Sequence, residues 1–259
     1  MCKPFSAIVT RNAVLWSRVS DTHEDIIAEN HLNDKIKAPD FVRVELTPQN
    51  MDFRKPISEW LFTVDQDYLP DWWSREWAET ITREEAAQWL AIRTITTNQT
   101  VITGTWIVLA GSPVITQLGG AIKIYDHSAP TITQSGGIIE TYDHSAPTIT
   151  QSGGAIETYD HSAPTITQSG GVIETHDHSA PTITQSDGLI RVNAQSTPVI
   201  TQSGGVIRSY EQSAPVITQS GGVIKIYDQS TPVITQSGGV IKSCEQSVPM
   251  ITQSKGYKT

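Results

Sequence analysis

Thr131 to Pro147 reads TITQSGGIIETYDHSAP, and this 17-residue unit decides the fold. Its tetrad x-Ile-Thr-Gln begins at Val114, Thr131, Thr148, Thr165, Thr182, Val199, Val216, Val233 and Met250, always 17 residues apart. That gives eight full units and a partial ninth. No 3.6-residue period is visible, and 17 residues are too few for a helical pair. Thr131 to Ser135 and Ile138 to Tyr142 are rich in β-branched and aromatic residues. Gly136-Gly137 and Asp143 to Pro147 carry turn chemistry between them. Two strands and two turns make one flattened coil, so the expectation is a β-solenoid stabilised by stacking.

The array reports its own constraints. The second Gly column (Gly137 and equivalents) never varies and marks the φ > 0 position, whereas the first accepts Asp187. Ile132 and Ile139 and their equivalents are constant and should point inward. Alternation then places Gln134 and Thr141 inside, and Thr131, Thr133, Glu140 and Tyr142 outside. A buried Gln column requires partners, which an amide ladder between coils supplies. The Ser145 column should bond turn backbone.

Composition changes at the array. All seven Trp precede residue 107, and the chain then becomes Thr, Ile, Ser, Gly and Gln. The expected organisation is a small α+β domain over residues 1–93, a junction and irregular capping coil over 94–113, and the all-β solenoid over 114–259. In the first domain, strands are expected at Phe5 to Thr10, Ala13 to Val19, Phe41 to Leu46 and Trp60 to Val64. A helix should start at Asp21-Thr22. Two more are expected at Asp71 to Thr80 and Thr82 to Arg93, the latter opened by a Thr82/Glu85 capping box. Trp73 and Trp77 would share a face. Val101-Ile102-Thr103 imitates the tetrad off-register and should belong to the capping coil.

Met-Cys-Lys-Pro-Phe-Ser-Ala-Ile-Val, the Asp-Thr-His-Glu-Asp-Ile-Ile segment and Val-Asp-Gln-Asp…Pro-Asp-Trp-Trp resemble an uncharacterised domain of phage and prophage proteins. Those proteins often carry a short-repeat β-solenoid. The resemblance covers about the first 80 residues and implies a mobile-element setting, with no activity attached to any residue.

Charge is unevenly placed. Residues 1–113 hold 16 acids and 11 bases, residues 114–190 eight acids and one base, and residues 191–259 three acids and six bases. No dense basic patch is present, so nucleic acid is not expected as a partner. No apolar run approaches the roughly 20 residues that span a bilayer, and the first residues lack a signal-peptide core. The expectation is a cytoplasmic protein of the host cell, with no membrane partner and no cofactor.

Three surfaces are candidates. Thr131, Thr133, Thr148, Thr150, Thr165, Thr167, Thr182 and Thr184 form an outward Thr-x-Thr array. It resembles the faces of ice-binding solenoids, although Thr also simply suits exposed strands. His127, His144, His161 and His178 form a corner column beside Asp126, Asp143, Asp160 and Asp177. They are weak metal candidates: later coils carry Gln195, Gln212, Gln229 and Gln246 there, and a solvated turn column copied by duplication is the favoured explanation. Glu140, Glu157 and Glu174 form an acidic ridge, either solubilising or a mimic of DNA. Cys2 is the remaining nucleophile candidate. His23-Glu24 lacks a zincin partner, and nothing in the sequence converges on Asp65 and Asp67. The expectation is therefore a non-enzymatic structural or interaction protein with an unknown protein partner. Lys255 and Lys258 are expected to protect the solenoid's C-terminal edge from pairing, with a symmetric homodimer through that edge as the alternative.

Overall fold

The computed structural model describes residues 5–18, 20–34, 40–193, 195–210, 212–227, 229–244 and 246–253. Cys2, Val19, Lys255, Gly256 and Lys258 lie outside them. The chain divides into two compact units. One comprises Met1–Thr94 with Thr103–Thr105, the other Ile95–Ile102 with Trp106–Thr259.

In the first unit, β1 (Phe5–Thr10), β2 (Val14–Leu15), β3 (Phe41–Thr47) and β4 (Leu61–Val64) form an antiparallel sheet of order β2-β1-β3-β4. β2 is far shorter than the expected 13–19 strand. β1 is buried along nearly its whole length, so both of its faces are covered. Ile8 packs with Ile26, Ile27 and Phe41. Phe5 meets Trp89 edge-on at 5.6 Å between ring centroids, and Phe53 meets Trp60 the same way.

Helix α1 (His23–Glu29) starts where expected, with Thr22 as its N-cap accepting from the Asp25 N–H at 3.2 Å. The two later helices are one. α2 runs from Arg75 to Arg93, capped by Ser74. Thr82 is fully buried in its middle and caps nothing. Ala78, Thr82, Ala86, Trp89 and Arg93 recur every three or four residues and bury one stripe. That burial outweighs the β-branched Thr80-Ile81-Thr82 run that looks like a break. Trp73 precedes the cap, so it shares no helical face with Trp77. It closes a turn onto the Pro70 carbonyl instead.

The second unit is a parallel β-solenoid of 17-residue, two-strand coils. β7 (Val114–Gln117) and β8 (Ala121–Ile124) make the first regular coil. Among the described residues, one sheet has ten strands and the other nine, each strand pairing with its equivalents one coil before and after. The Ile columns from Ile115 to Ile234 are 0 or 1% exposed and form one continuous core. Gly137 has φ +80°, and a Cβ there would sit 2.4 Å from the Gly120 carbonyl oxygen of the previous coil. This explains the invariant column.

The buried Gln column forms the expected ladder from Gln151 onward. Gln168 Nε2 donates to Gln151 Oε1 at 3.1 Å, and the pattern continues through Gln185, Gln202, Gln219, Gln236 and Gln253. The first two rungs differ. Gln117 and Gln134 send their amides to backbone carbonyls at Ile138 and Ala155, and their Oε1 atoms accept nothing.

The capping coil is built from β5 (Gln99–Val101) and β6 (Thr105–Val108), the first strands of the two solenoid sheets. Its register is not the one Val101-Ile102-Thr103 suggests. Gln99 lies beside Ile115 and Val101 beside Gln117. Val101 therefore fills the inward Gln position, while Ile102 is 67% exposed.

Candidate functional site

The solenoid presents three surfaces, each a column of equivalent residues. The first is the Thr array. In Thr131–Gln134, Thr148–Gln151, Thr165–Gln168 and Thr182–Gln185, both Thr are exposed and both inward residues are buried. Thr131 lies beside Thr148, Thr165 and Thr182 in turn, and Thr133 beside Thr150, Thr167 and Thr184. Strand geometry sets the hydroxyls about 7 Å apart along a strand and about 4.8 Å apart between coils. Val199, Val216 and Val233 continue the outer column and are about half exposed.

The second surface lies on the other sheet. One column reads Lys123, Glu140, Glu157, Glu174, Arg191, Arg208, Lys225, Lys242. The three acids do not stand bare. Glu140 accepts from Lys123 Nζ and from the Tyr142 hydroxyl, and Glu157 accepts from the Tyr159 hydroxyl. Glu174 accepts from Arg191 Nη1, and its other oxygen lies 3.8 Å from His176 Nε2. All three are half-buried rather than fully outward. These internal partners neutralise part of the ridge's field.

Beside them runs an aromatic stack that alternation alone does not disclose. Tyr125, Tyr142, Tyr159 and His176 lie with ring centroids 4.9, 5.2 and 4.9 Å apart and nearly parallel. Asn193 interrupts the stack, and Tyr210 and Tyr227 resume it at 4.8 Å. Stacking leaves Tyr125 only 2% exposed. Burial first, then the neighbouring carboxylates, push the Tyr142 and Tyr159 phenols well above their ordinary range. The sequence carries the signal as Tyr125, Tyr142 and Tyr159 at 17-residue spacing, which alternation assigns only to an outward face.

The third surface is the corner. His127, His144, His161 and His178 are exposed and stacked, with neighbouring centroids 5.8, 5.5 and 5.4 Å apart. In parallel rings, equivalent nitrogens of neighbours lie a ring spacing apart. Two nitrogens on one Zn²⁺ lie at most about 4 Å apart, so in this arrangement neighbouring rings do not share an ion. Asp143, Asp160 and Asp177 sit in the left-handed backbone region, as do His144, His161 and His178. Burial and the flanking Asp143 and Asp177 raise the Asp160 carboxyl above its usual range, with His161 and His178 opposing.

The structure also assembles what the sequence left scattered in the first unit. Asp65 is not isolated, because His23 and Glu45 converge on it. Antiparallel pairing of β3 with β4 brings Glu45 and Asp65 together, and His23 reaches them from α1 through its contact with the Val44 carbonyl, long-range relations that motif spacing does not reveal.

Comparisons with protein-family models, with curated proteins and with solved structures return no match. The resemblance to phage proteins gains no support from them. No helix among the described residues is long and apolar enough to cross a membrane.

Proposed function

We propose that the chain is a non-enzymatic interaction or structural protein that presents a register-locked solenoid surface to a protein partner. The observation that carries this reading is the register itself. Equivalent residues lie side by side from coil to coil on both sheets, so any local motif is displayed as a line of copies. Such a repetitive β-solenoid fits a structural or interaction role. A mobile-element setting inside a host cell is part of this proposal and rests on the sequence resemblance of the first 80 residues alone.

The test is affinity capture from bacterial lysate with the wild-type chain and three folded variants. One carries Lys at Thr148, Thr150, Thr165 and Thr167. The second carries Gln at Glu140, Glu157 and Glu174. The third carries Glu at Arg208, Lys225 and Lys242. A partner lost from one variant and kept by the others supports surface presentation and names the face. Loss only from the Glu-to-Gln variant favours an acidic decoy. Identical recovery by all four chains sinks the reading.

The exposed Thr rows favour a second reading, ice binding. Thermal hysteresis by the purified chain, abolished by the Thr-to-Lys variant, supports it. An absence of hysteresis at millimolar protein ends it.

A further inference from the structure

The geometry points to a divalent metal site in the first unit, formed by His23, Asp65 and Glu45, for a borderline ion such as Zn²⁺. His23 opens α1 and is 7% exposed. Its Nε2 lies 3.1 Å from the Val44 carbonyl oxygen. A carbonyl only accepts, so Nε2 carries the hydrogen in this contact. In the neutral ring the lone pair is then on Nδ1. An imidazole fixed through one nitrogen by a backbone carbonyl, with the other directed at a ligand, is the usual support of a metal-binding histidine.

Nδ1 faces a carboxylate. It lies 3.4 Å from Asp65 Oδ2. A neutral Nδ1 and a carboxylate oxygen are both acceptors, so a proton or a metal cation has to lie between them. Bonds of about 2.0–2.1 Å in a tetrahedral Zn²⁺ site hold ligand atoms about 3.3–3.4 Å apart, which matches the spacing. Glu45, on the strand beside β4, supplies the third ligand. One atom from each of the three residues lies within 4.8 Å of the other two.

Strand pairing holds the set together. Glu45 follows Val44, whose carbonyl orients the imidazole, and Glu45 pairs with Thr63 across β4. The Asp65 N–H donates to the Arg43 carbonyl at 2.9 Å, anchoring that residue just past the strand end. Arg43 directs its guanidinium to Asp34 at 2.6 Å. One nitrogen and two carboxylate oxygens suit Zn²⁺, Mn²⁺ or Fe²⁺, and leave at least one position for water or an exogenous ligand.

The experiment uses the full chain, stripped with chelator, titrated with Zn²⁺ by calorimetry and with Co²⁺ by visible absorption. One equivalent is expected to bind at this site, with tetrahedral Co²⁺ bands. Asp65→Asn and Glu45→Gln should each weaken Zn²⁺ binding by about tenfold or more. His127, His144, His161 and His178 together replaced by Gln, the residue later coils carry there, should leave that equivalent intact. Binding unchanged by Asp65→Asn and Glu45→Gln, or lost with the four corner histidines, overturns the site. So does an absence of Zn²⁺ uptake by folded wild-type chain, which would leave His23 and Asp65 as an ion pair alone.

Discussion

The Thr141 hydroxyl donates to Ser162 Oγ one coil further on, at 3.0 Å. Thr158 to Ser179 and Thr175 to Ser196 repeat the bond at 2.9 Å. Ser145 has no such donor, because the equivalent position one coil earlier is Ile124, and its buried hydroxyl has no partner. The Ser column thus bonds across coils where a Thr precedes it. Without a preceding Thr the column varies: Ser128 and Ser213 donate to the Tyr125 and Tyr210 carbonyls, and Ser230 bonds across coils to Ser209. Ser162→Ala should therefore cost about 1–2 kcal/mol by stranding Thr141, while Ser145→Ala should be neutral or stabilising. Urea melts of both variants check this, and equal losses would refute it.

Alkaline pH should weaken the solenoid through its Tyr stack. The Tyr142 and Tyr159 phenols have folded-state values raised above the ordinary 10.0, chiefly by burial and next by Glu140 and Glu157. A raised value means the folded chain holds the proton more tightly than the unfolded one. The associated stability is complete below pH 10 and is lost as pH rises beyond it. Melting temperature measured from pH 8 upward should fall more steeply above pH 10 for wild type than for the Tyr142→Phe, Tyr159→Phe double variant. Parallel curves would contradict the assignment.

Asp160→Asn should raise the melting temperature at pH 7. Its carboxyl is raised by burial and by Asp143 and Asp177, so ionising it costs stability, and the loss sets in as pH climbs past the usual carboxylate range. Asparagine also accepts the φ of +43° found there. The gain should shrink toward pH 3.5. A gain independent of pH would assign the effect to the backbone alone.

The two Gly environments predict different costs. Gly111 and Gly137 have nearly the same positive φ, +84° and +80°, but a Cβ on Gly111 meets nothing within 4 Å. Gly111→Ala should cost about 1 kcal/mol, the left-handed penalty alone. Gly137→Ala adds a collision with the Gly120 carbonyl and should cost at least about 2 kcal/mol. Chemical denaturation of the pair measures the difference.

Removing one whole coil, residues 148–164, should leave a cooperatively folded protein. Thr165 then follows Pro147, and each new neighbour presents the same Ile, Gln and Gly positions as the one removed. A single calorimetric transition is the expected result. Broadening into two would show that particular coils matter more than the repeat.

The repeat made the solenoid legible because each constraint was stated many times over. Ile, Gln and Gly columns appear in coil after coil, and alternation assigns their faces. What alternation does not say is whether side chains one coil apart lie over one another. The Tyr142 stack and its bond to Glu140 were missed for that reason. In the first unit each residue appears once. The Thr80 to Thr82 run looked like a helix boundary because its local propensity is poor, and only the buried Ala78, Thr82 and Ala86 stripe shows why the helix continues. The meeting of His23 with Asp65 depends on α1 contacting β3 and on β3 pairing with β4, relations distant in the sequence. Val101 is off-register with the tetrad, as its spacing implies, because the register follows the inward side chains.

After Lys123 the column is acidic from Glu140 to Glu174 and basic from Arg191 to Lys242. Because the coils are stacked in register, that change is spread along the solenoid axis instead of averaging out around it. The unit therefore carries a lengthwise electric moment. In the field of a charged partner it experiences a torque before any contact forms, so the first encounter already selects which end approaches.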